Sequence, residues 1–264
     1  MKSPYHVVIP ARLASERLPG KPLIEIAGKP LIEHVFRRAR AGSAQRVVIA
    51  TDAEEIAACA RAFGAEVVMT SAVHQSGSDR IAECVRSLGW SADTVIVNLQ
   101  GDEPLMPAAC LDQVAALLAA DPTADAASLY WPVSEPAEAA DPNVVKVVTD
   151  SRDAALYFSR SVIPHPRDTA RLAQAVSAGA SWKRHIGLYA YRAAALAAFT
   201  AATPGILERI EKLEQLRFLE NGRRIVMAPA VQFIPAGVDT PDDLRRVRAL
   251  LATTPGPSPA GLGR

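Results

Sequence analysis

Four short β-branched runs, separated by longer helical patterns, constrain this chain more than any other feature. Val7-Val8-Ile9, Val47-Val48-Ile49, Val67-Val68-Met69 and Val95-Ile96-Val97 are short and wholly apolar, as strands covered on both faces are. Between the first two runs, Leu31, Ile32, Val35, Phe36 and Ala39 share a helical face behind Pro30. Proline suits a helix start, and Arg37, Arg38 and Arg40 fall in the last turn before a Gly42 stop. Alanine-rich helical patterns separate the later runs. Strand alternating with helix predicts an α/β fold, a doubly wound and mostly parallel sheet.

After Leu129 the pattern changes. Strands are expected over Val144–Thr149, Ala155–Phe158 and Ile186–Tyr191, with a Pro- and Arg-rich loop at 163–171. One helix is expected from Leu207 to Asn221, with Leu207, Ile210, Leu213, Leu216 and Leu219 on its apolar side and Gly222 at its end. Asp239-Thr240-Pro241-Asp242-Asp243 announces the last helix, with Thr240 as N-cap and Pro241 at the first helical position. Residues 1–252 are read as one α/β domain with a smaller mixed subregion at about 130–225. The Pro- and Gly-rich tail 253–264 is expected to be disordered.

A formal net charge of +1 advertises neither a nucleic-acid nor a membrane partner, so any basic site must be local. No stretch reaches the roughly 18 apolar residues of a membrane span, and no signal-peptide core is present. Cys59, Cys84 and Cys110 are odd in number and far apart. They read as small core residues in a reducing compartment, which makes a cytoplasmic location the expectation.

The first strand runs into Pro10-Ala11-Arg12-Leu13-Ala14-Ser15-Glu16-Arg17-Leu18-Pro19-Gly20-Lys21-Pro22. The crevice beyond a strand's carboxyl end is where open α/β sheets bind ligands. Arg12, Arg17 and Lys21 supply the several cations that a triphosphate needs, Arg by bidentate donation and Lys as a point charge. The loop lacks both the Gly-Lys-Ser/Thr of a P-loop and the Gly-x-Gly-x-x-Gly of a dinucleotide turn. Taken alone, it reads equally as a solvated turn.

Asp102 follows the Thr94–Leu99 strand, and Asp239 precedes the last helix. Magnesium commonly takes one or two carboxylates and completes its shell with phosphate and water. Asp239 also suits a plain helix start, and Glu103 reads as either a third ligand or a neighbour of the ligands. Ser76-Gly77 reads as a turn or as a helix start capped by Ser78 or Asp79.

In order along the chain, Pro10-Ala-Arg-x-x-Ser-x-Arg-Leu-Pro-Gly-Lys21-Pro, His74-Gln-Ser-Gly-Ser-Asp-Arg80, Asn98-x-Gln-Gly-Asp-Glu-Pro104, Leu156-Tyr-Phe-Ser-Arg160, Arg184-His-x-Gly-x-Tyr-x-Tyr191, Leu213-Glu-Gln-Leu-Arg217 and Gly237-Val-Asp-Thr-Pro241 resemble the sugar-nucleotide cytidylyltransferases. Within that group they resemble the CMP-KDO synthetases, where KDO is 3-deoxy-manno-octulosonate.

The resemblance implies a nucleotide-diphospho-sugar transferase-like fold whose smaller subregion serves sugar binding and dimerisation. It implies transfer of CMP from CTP to KDO with Mg2+, in a homodimer. Arg12, Lys21, Asp102 and Asp239 are implied as catalytic, the two acids as metal ligands. Pro10, Ala11, Arg12, Arg17, Lys21, Ser76, Gly77, Arg80 and Gln100 are implied for the nucleotide. Gln100, Arg160, His185, Tyr189, Glu214 and Gln215 are implied for the sugar, with Arg160 as the carboxylate clamp. The same resemblance leaves a sister enzyme for 8-amino-KDO or sialic acid as the alternative.

Overall fold

The four β-branched runs lie side by side in one sheet. In the computed structural model, which describes residues 4–14, 18–74, 76–167 and 181–253, they form β1 (His6–Ala11), β4 (Arg46–Thr51), β5 (Glu66–Met69) and β6 (Val95–Asn98). Strands β2 (Glu25–Ile26) and β3 (Lys29–Pro30) make a separate hairpin. The second half of the chain adds β7 (Ala126–Val133), β8 (Lys146–Thr149), β9 (Ala155–Ser159), β10 (Trp182–Arg192) and β11 (Ile225–Pro229). The sheet order is β11-β7-β10-β6-β1-β4-β5, and β8 pairs with both β10 and β9.

Every pairing among β6, β1, β4 and β5 is parallel, whereas β10 runs antiparallel between β6 and β7. This reversal matters for function. Tyr189 of β10 pairs with Asn98, the last residue of β6, so the first half of β10 projects past the carboxyl ends of the parallel strands.

Helices cover both faces, as alternating burial on β1 requires. Val7 and Ile9 face a core shared with α1 (Leu31–Arg40), α2 (Glu54–Ala62) and α4 (Ala108–Ala120). Val8 faces the opposite core, built with α3 (Gly77–Ser87), α6 (Ala193–Ala201) and α8 (Leu216–Glu220). The remaining helices are α5 (Pro136–Ala140), α7 (Ile206–Glu211) and α9 (Pro241–Thr253). A third, smaller core joins Leu18, Ile26 and Leu31 to Val238, Leu244 and Val247 of the α9 region. It fastens the end of the described chain onto the loop after β1.

Several expectations need correction. Strand β5 is the sheet's edge and is only half-buried, with Met69 exposed. The single helix expected over 207–221 is two short helices, α7 and α8, broken where Lys212 adopts φ 54. The break turns Ile210 outward to 74% exposure while Leu213 and Leu216 remain buried. Helix α9 extends to Thr253, and the rest of the expected tail, 254–264, lies outside the described residues. The three cysteines are unpaired, with Cys84 and Cys110 buried. Among the described residues no helix is long and apolar enough to cross a membrane.

Candidate active site

Two cavities open at the carboxyl edge of the parallel strands. The first, of about 730 Å³, is lined by Pro10, Ala11, Arg12 and Lys21 from the loop after β1, and by Ser76, Gly77 and Arg80 from the start of α3. Gln100 and Asp102 after β6, and Asp239 before α9, complete it. Every residue expected at the nucleotide and the metal lies here except Arg17, which lies outside the described residues.

Backbone packing explains why distant segments meet. A side chain at Gly101 would place its Cβ 2.8 Å from the Pro10 carbonyl oxygen, so only glycine lets the ends of β1 and β6 approach this closely. Gly237 lies the same 2.8 Å from the Asp102 carbonyl oxygen by that measure. The same oxygen accepts the Val238 N–H at 2.8 Å. With Val238 wholly buried in the third core, Asp239 is delivered beside Asp102.

Thr240 then caps α9. Its Oγ1 accepts the Asp243 N–H at 3.2 Å, while the Asp243 carboxylate accepts the N–H groups of Asp239 and Thr240. Asp239 is therefore held by a helix start, and it also faces the cavity.

Lys21 occupies the centre. Its Nζ donates to Asp102 Oδ2 at 2.6 Å and to Asp239 Oδ1 at 3.1 Å. Burial pulls this ammonium toward neutrality, but the two carboxylates outweigh it and its pKa is raised. Glu103, which follows Asp102 in sequence, has a buried Oε2 with no hydrogen-bond partner among the described residues. Burial first, then repulsion from Asp102 and Asp239, pushes its carboxyl up to about 8. At neutral pH it therefore stays largely protonated behind the pair.

At the far end Ser76, rather than Ser78 or Asp79, is the N-cap of α3, its Oγ accepting the Asp79 N–H at 3.1 Å. The helix-start reading and the cavity reading of Ser76-Gly77 thus hold together. Arg80 is buried and donates to Thr70 Oγ1 at 2.5 Å and to Asp52 Oδ2 at 2.9 Å. It braces the ends of β4 and β5 while showing one side to the cavity.

The second cavity, of about 300 Å³, shares Gly77 and Gln100 with the first. It holds His185 from the overhanging half of β10, Tyr189 where that strand meets the end of β6, and Glu214 and Gln215 from the break between α7 and α8. Tyr189 and Tyr191, two residues apart on one strand face, stack with centroids 5.5 Å apart, and Tyr191 stacks on Phe218.

Burial holds the His185 imidazole down at about 3, so it is neutral, and its Nε2 lies 3.3 Å from Ser128 Oγ. Burial also raises the Glu214 carboxyl, against the Ser78 Oγ hydrogen bond it accepts at 3.1 Å. The Tyr189 hydroxyl and Gln215 Nε2 are buried with no hydrogen-bond partner among the described residues. Orphaned buried polar atoms are costly, and two in one polar cavity indicate a ligand that completes them.

Arg160 is the expectation that the structure does not bring in. It lines neither cavity, because its Nε donates to the Glu211 carbonyl at 2.8 Å and its Nη1 to the Pro142 carbonyl at 3.0 Å. Sequence reasoning also missed residues that do line the cavities. His74, whose Nε2 pairs with the Glu83 carboxylate, lines the first. Ser78, Asn98, Tyr191 and Lys212 line the second. Asn98 carried a signal, a polar residue ending an apolar strand; Lys212 carried none.

Comparison with known proteins matches this arrangement to one group. A family model described as cytidylyltransferase matches residues 6–225. A 3-deoxy-manno-octulosonate cytidylyltransferase of Pseudomonas syringae pv. tomato is 52% identical over 252 residues, 95% of this chain and 99% of that protein. One of the same description from Cellvibrio japonicus is 51% identical over 249 residues, 94% and 98% of the two chains. Among solved structures, a CMP:2-keto-3-deoxy-manno-octonic acid synthetase complexed with CTP superposes with a TM-score of 0.84. It is 40% identical, over 95% of this chain and 99% of that one. A 4-diphosphocytidyl-2C-methyl-D-erythritol synthase, 16% identical with a TM-score of 0.59, shares the fold over 95% and 99% of the chains. Because the family model covers residues 6–225, well over half of the sequence, the chain belongs to the cytidylyltransferase family.

Proposed function

We propose that this protein transfers CMP from CTP to 3-deoxy-manno-octulosonate, releasing pyrophosphate and activating the sugar acid for lipopolysaccharide biosynthesis. The observation that carries the reading is the wall of Gly77 and Gln100 between the two cavities. A charged cavity that suits a triphosphate abuts a smaller one whose unpartnered donors, Tyr189 Oη and Gln215 Nε2, suit a polyhydroxylated acid. Two substrates so placed can react without a covalent enzyme intermediate, by attack of the anomeric hydroxyl on the α-phosphorus with pyrophosphate leaving in line.

Asp102 and Asp239 fit magnesium. They already converge on one cation, the Lys21 ammonium. Among the described residues no three acidic, His or Cys side chains form a cage on their own. That combination suits an ion completing its shell with phosphate and water. When bound, magnesium would neutralise phosphate charge and lower the pKa of the attacking hydroxyl.

The chain's own residues do the rest. Arg12 and Arg17 hold the triphosphate, and Lys21 releases its carboxylates to meet the phosphate oxygens. Gln100 reads the pyrimidine and reaches the sugar across the shared wall, while Ser76, Gly77 and Arg80 shape the nucleoside end. His185, being neutral, and Tyr189, Glu214 and Gln215 orient the sugar hydroxyls. Arg160 is left out of the substrate contacts because backbone carbonyls already take its guanidinium.

A cytoplasmic homodimer completes the proposal. Leu156 on β9 and Ile206 and Ile210 on α7 are exposed apolar groups of the second half that association would cover. Pyrophosphate release with CTP, measured across KDO, 8-amino-KDO and sialic acid, tests the reading. Preference for KDO is expected; preference for either other acid would reassign the sugar, and release with none would remove the activity.

A further inference from the structure

The second cavity depends on a turn that local sequence preference does not favour. Glu211 ends α7, and Lys212 then takes φ 54, ψ 46, the left-handed region that side chains other than Gly, Asn and Asp rarely occupy. Such a conformation persists only where its surroundings over-determine it. The four residues it leads, Lys212, Leu213, Glu214 and Gln215, all line the cavity.

The surroundings that fix it centre on Glu211. Its carboxylate accepts the Ser159 hydroxyl at 2.6 Å on Oε1 and the Arg160 N–H at 3.0 Å on Oε2. Its carbonyl oxygen accepts Arg160 Nε at 2.8 Å. Ser159 and Arg160 are anchored in turn. Lys146 is wholly buried, and its ammonium donates to the carbonyls of Arg160 at 2.7 Å, Val144 at 2.5 Å and Asp141 at 3.0 Å. The Arg160 guanidinium returns to the Pro142 carbonyl at 3.0 Å. Lys146 begins β8, which pairs with Arg184 beside His185 on β10. The contacts therefore run without interruption from the cavity's β10 wall to its 212–215 wall.

We infer that Glu211 is a positioning residue for the sugar acid, clasping Ser159 and Arg160 so that the Lys212–Gln215 turn presents Glu214 and Gln215 to the substrate. The inference rests on the proposed sugar-acid reading of this cavity. It assigns Arg160 to the clasp. Losing a clasp that shapes one substrate's wall should raise KM for that substrate and spare the other.

Steady-state kinetics of Glu211→Ala with KDO and CTP varied separately test it. KM for KDO should rise about tenfold, with KM for CTP and kcat within about twofold of the parent. Glu211→Gln keeps an acceptor for the Arg160 N–H and offers Ser159 Oγ an amide N–H in place of the acceptor it has now, so it should restore KM for KDO to within about twofold. Should Glu211→Ala fail to fold, Ser159→Ala removes one arm of the clasp, and a rise of about threefold in the same KM alone is expected. An unchanged KM for KDO, or equal loss for both substrates, would overturn the inference. Parent protein that turns over CTP with a different acid, or with none, would instead overturn the substrate reading.

Discussion

Ser78 Oγ donates to Glu214 Oε2 at 3.1 Å, tying the first turn of α3 to the turn between α7 and α8. Both residues line the second cavity, and Ser78 is next to Gly77, which walls both cavities. Ser78→Ala should raise KM for KDO about fivefold, the effect of losing roughly 1 kcal/mol of hydrogen bonding. KM for CTP should change less, and a larger CTP effect would place Ser78 on the nucleotide side.

Lys21→Ala should lower kcat by about 10² if the ammonium stabilises charge on the triphosphate. Removing it also leaves Asp102 and Asp239 facing each other without the cation that now joins them. Mn2+ titrated without nucleotide should therefore bind Lys21→Ala about tenfold more tightly than the parent. Identical Mn2+ affinities would show that Lys21 does not compete for the acids.

The neutral state of His185 sets a pH expectation. Burial lowers its pKa to about 3 from the usual 6.5, so the imidazole contributes stability that is complete above pH 6.5. That contribution is lost as pH falls toward about 3, because the unfolded chain takes the proton first. The pH profile of kcat/KM for KDO should show no histidine inflection between pH 5.5 and 8 that His185→Gln abolishes. An inflection near 6.5 lost in that variant would mean that the ring titrates in the working enzyme.

Gly101→Ala forces a Cβ to within 2.8 Å of the Pro10 carbonyl oxygen, and that oxygen is backbone that cannot swing away. The expected cost is about 1–3 kcal/mol in urea unfolding, with reduced turnover because Arg12 and Asp102 move apart. Parent-like stability would mean that the two strand ends separate easily.

Arg217 and Glu208 form a buried bidentate pair, with N···O distances of 2.7 and 2.5 Å, that joins α7 to α8. Arg217→Met strands a buried carboxylate and should cost about 3–5 kcal/mol. Adding Glu208→Leu should recover part of that loss by thermal unfolding, since neither charge then remains buried. A double variant no more stable than the single one would point to the Arg217 contacts with the Phe199 and Ala202 carbonyls as the dominant ones.

Local signals made the sheet and the first cavity legible. The β-branched runs became β1, β4, β5 and β6, and Arg12, Lys21, Gln100 and Asp102 follow strand ends, where topology alone places ligands. Asp239 was legible as a helix start, though its partner was not, since the Val238–Asp102 contact leaves no trace in either segment. The second cavity was legible only in part. Apolar periodicity favoured one helix across 207–221; the left-handed Lys212 that ends α7 follows Glu211, whose carboxylate bonds to Ser159 and Arg160 some 50 residues away. Arg160, expected at the sugar acid, instead lies outside both cavities with its guanidinium on the Glu211 and Pro142 carbonyls.

The Lys21–Asp239 contact spans 218 positions and bears on how the enzyme is made. A nascent chain that has folded β1 and β6 but not yet released α9 already has Lys21 and Asp102, a pair with no net charge. Asp239 joins them only once the segment before α9 has emerged, and it tips the trio to one net negative charge. The charge balance of the proposed magnesium site is therefore set by a contact that bridges segments near the two ends of the described chain.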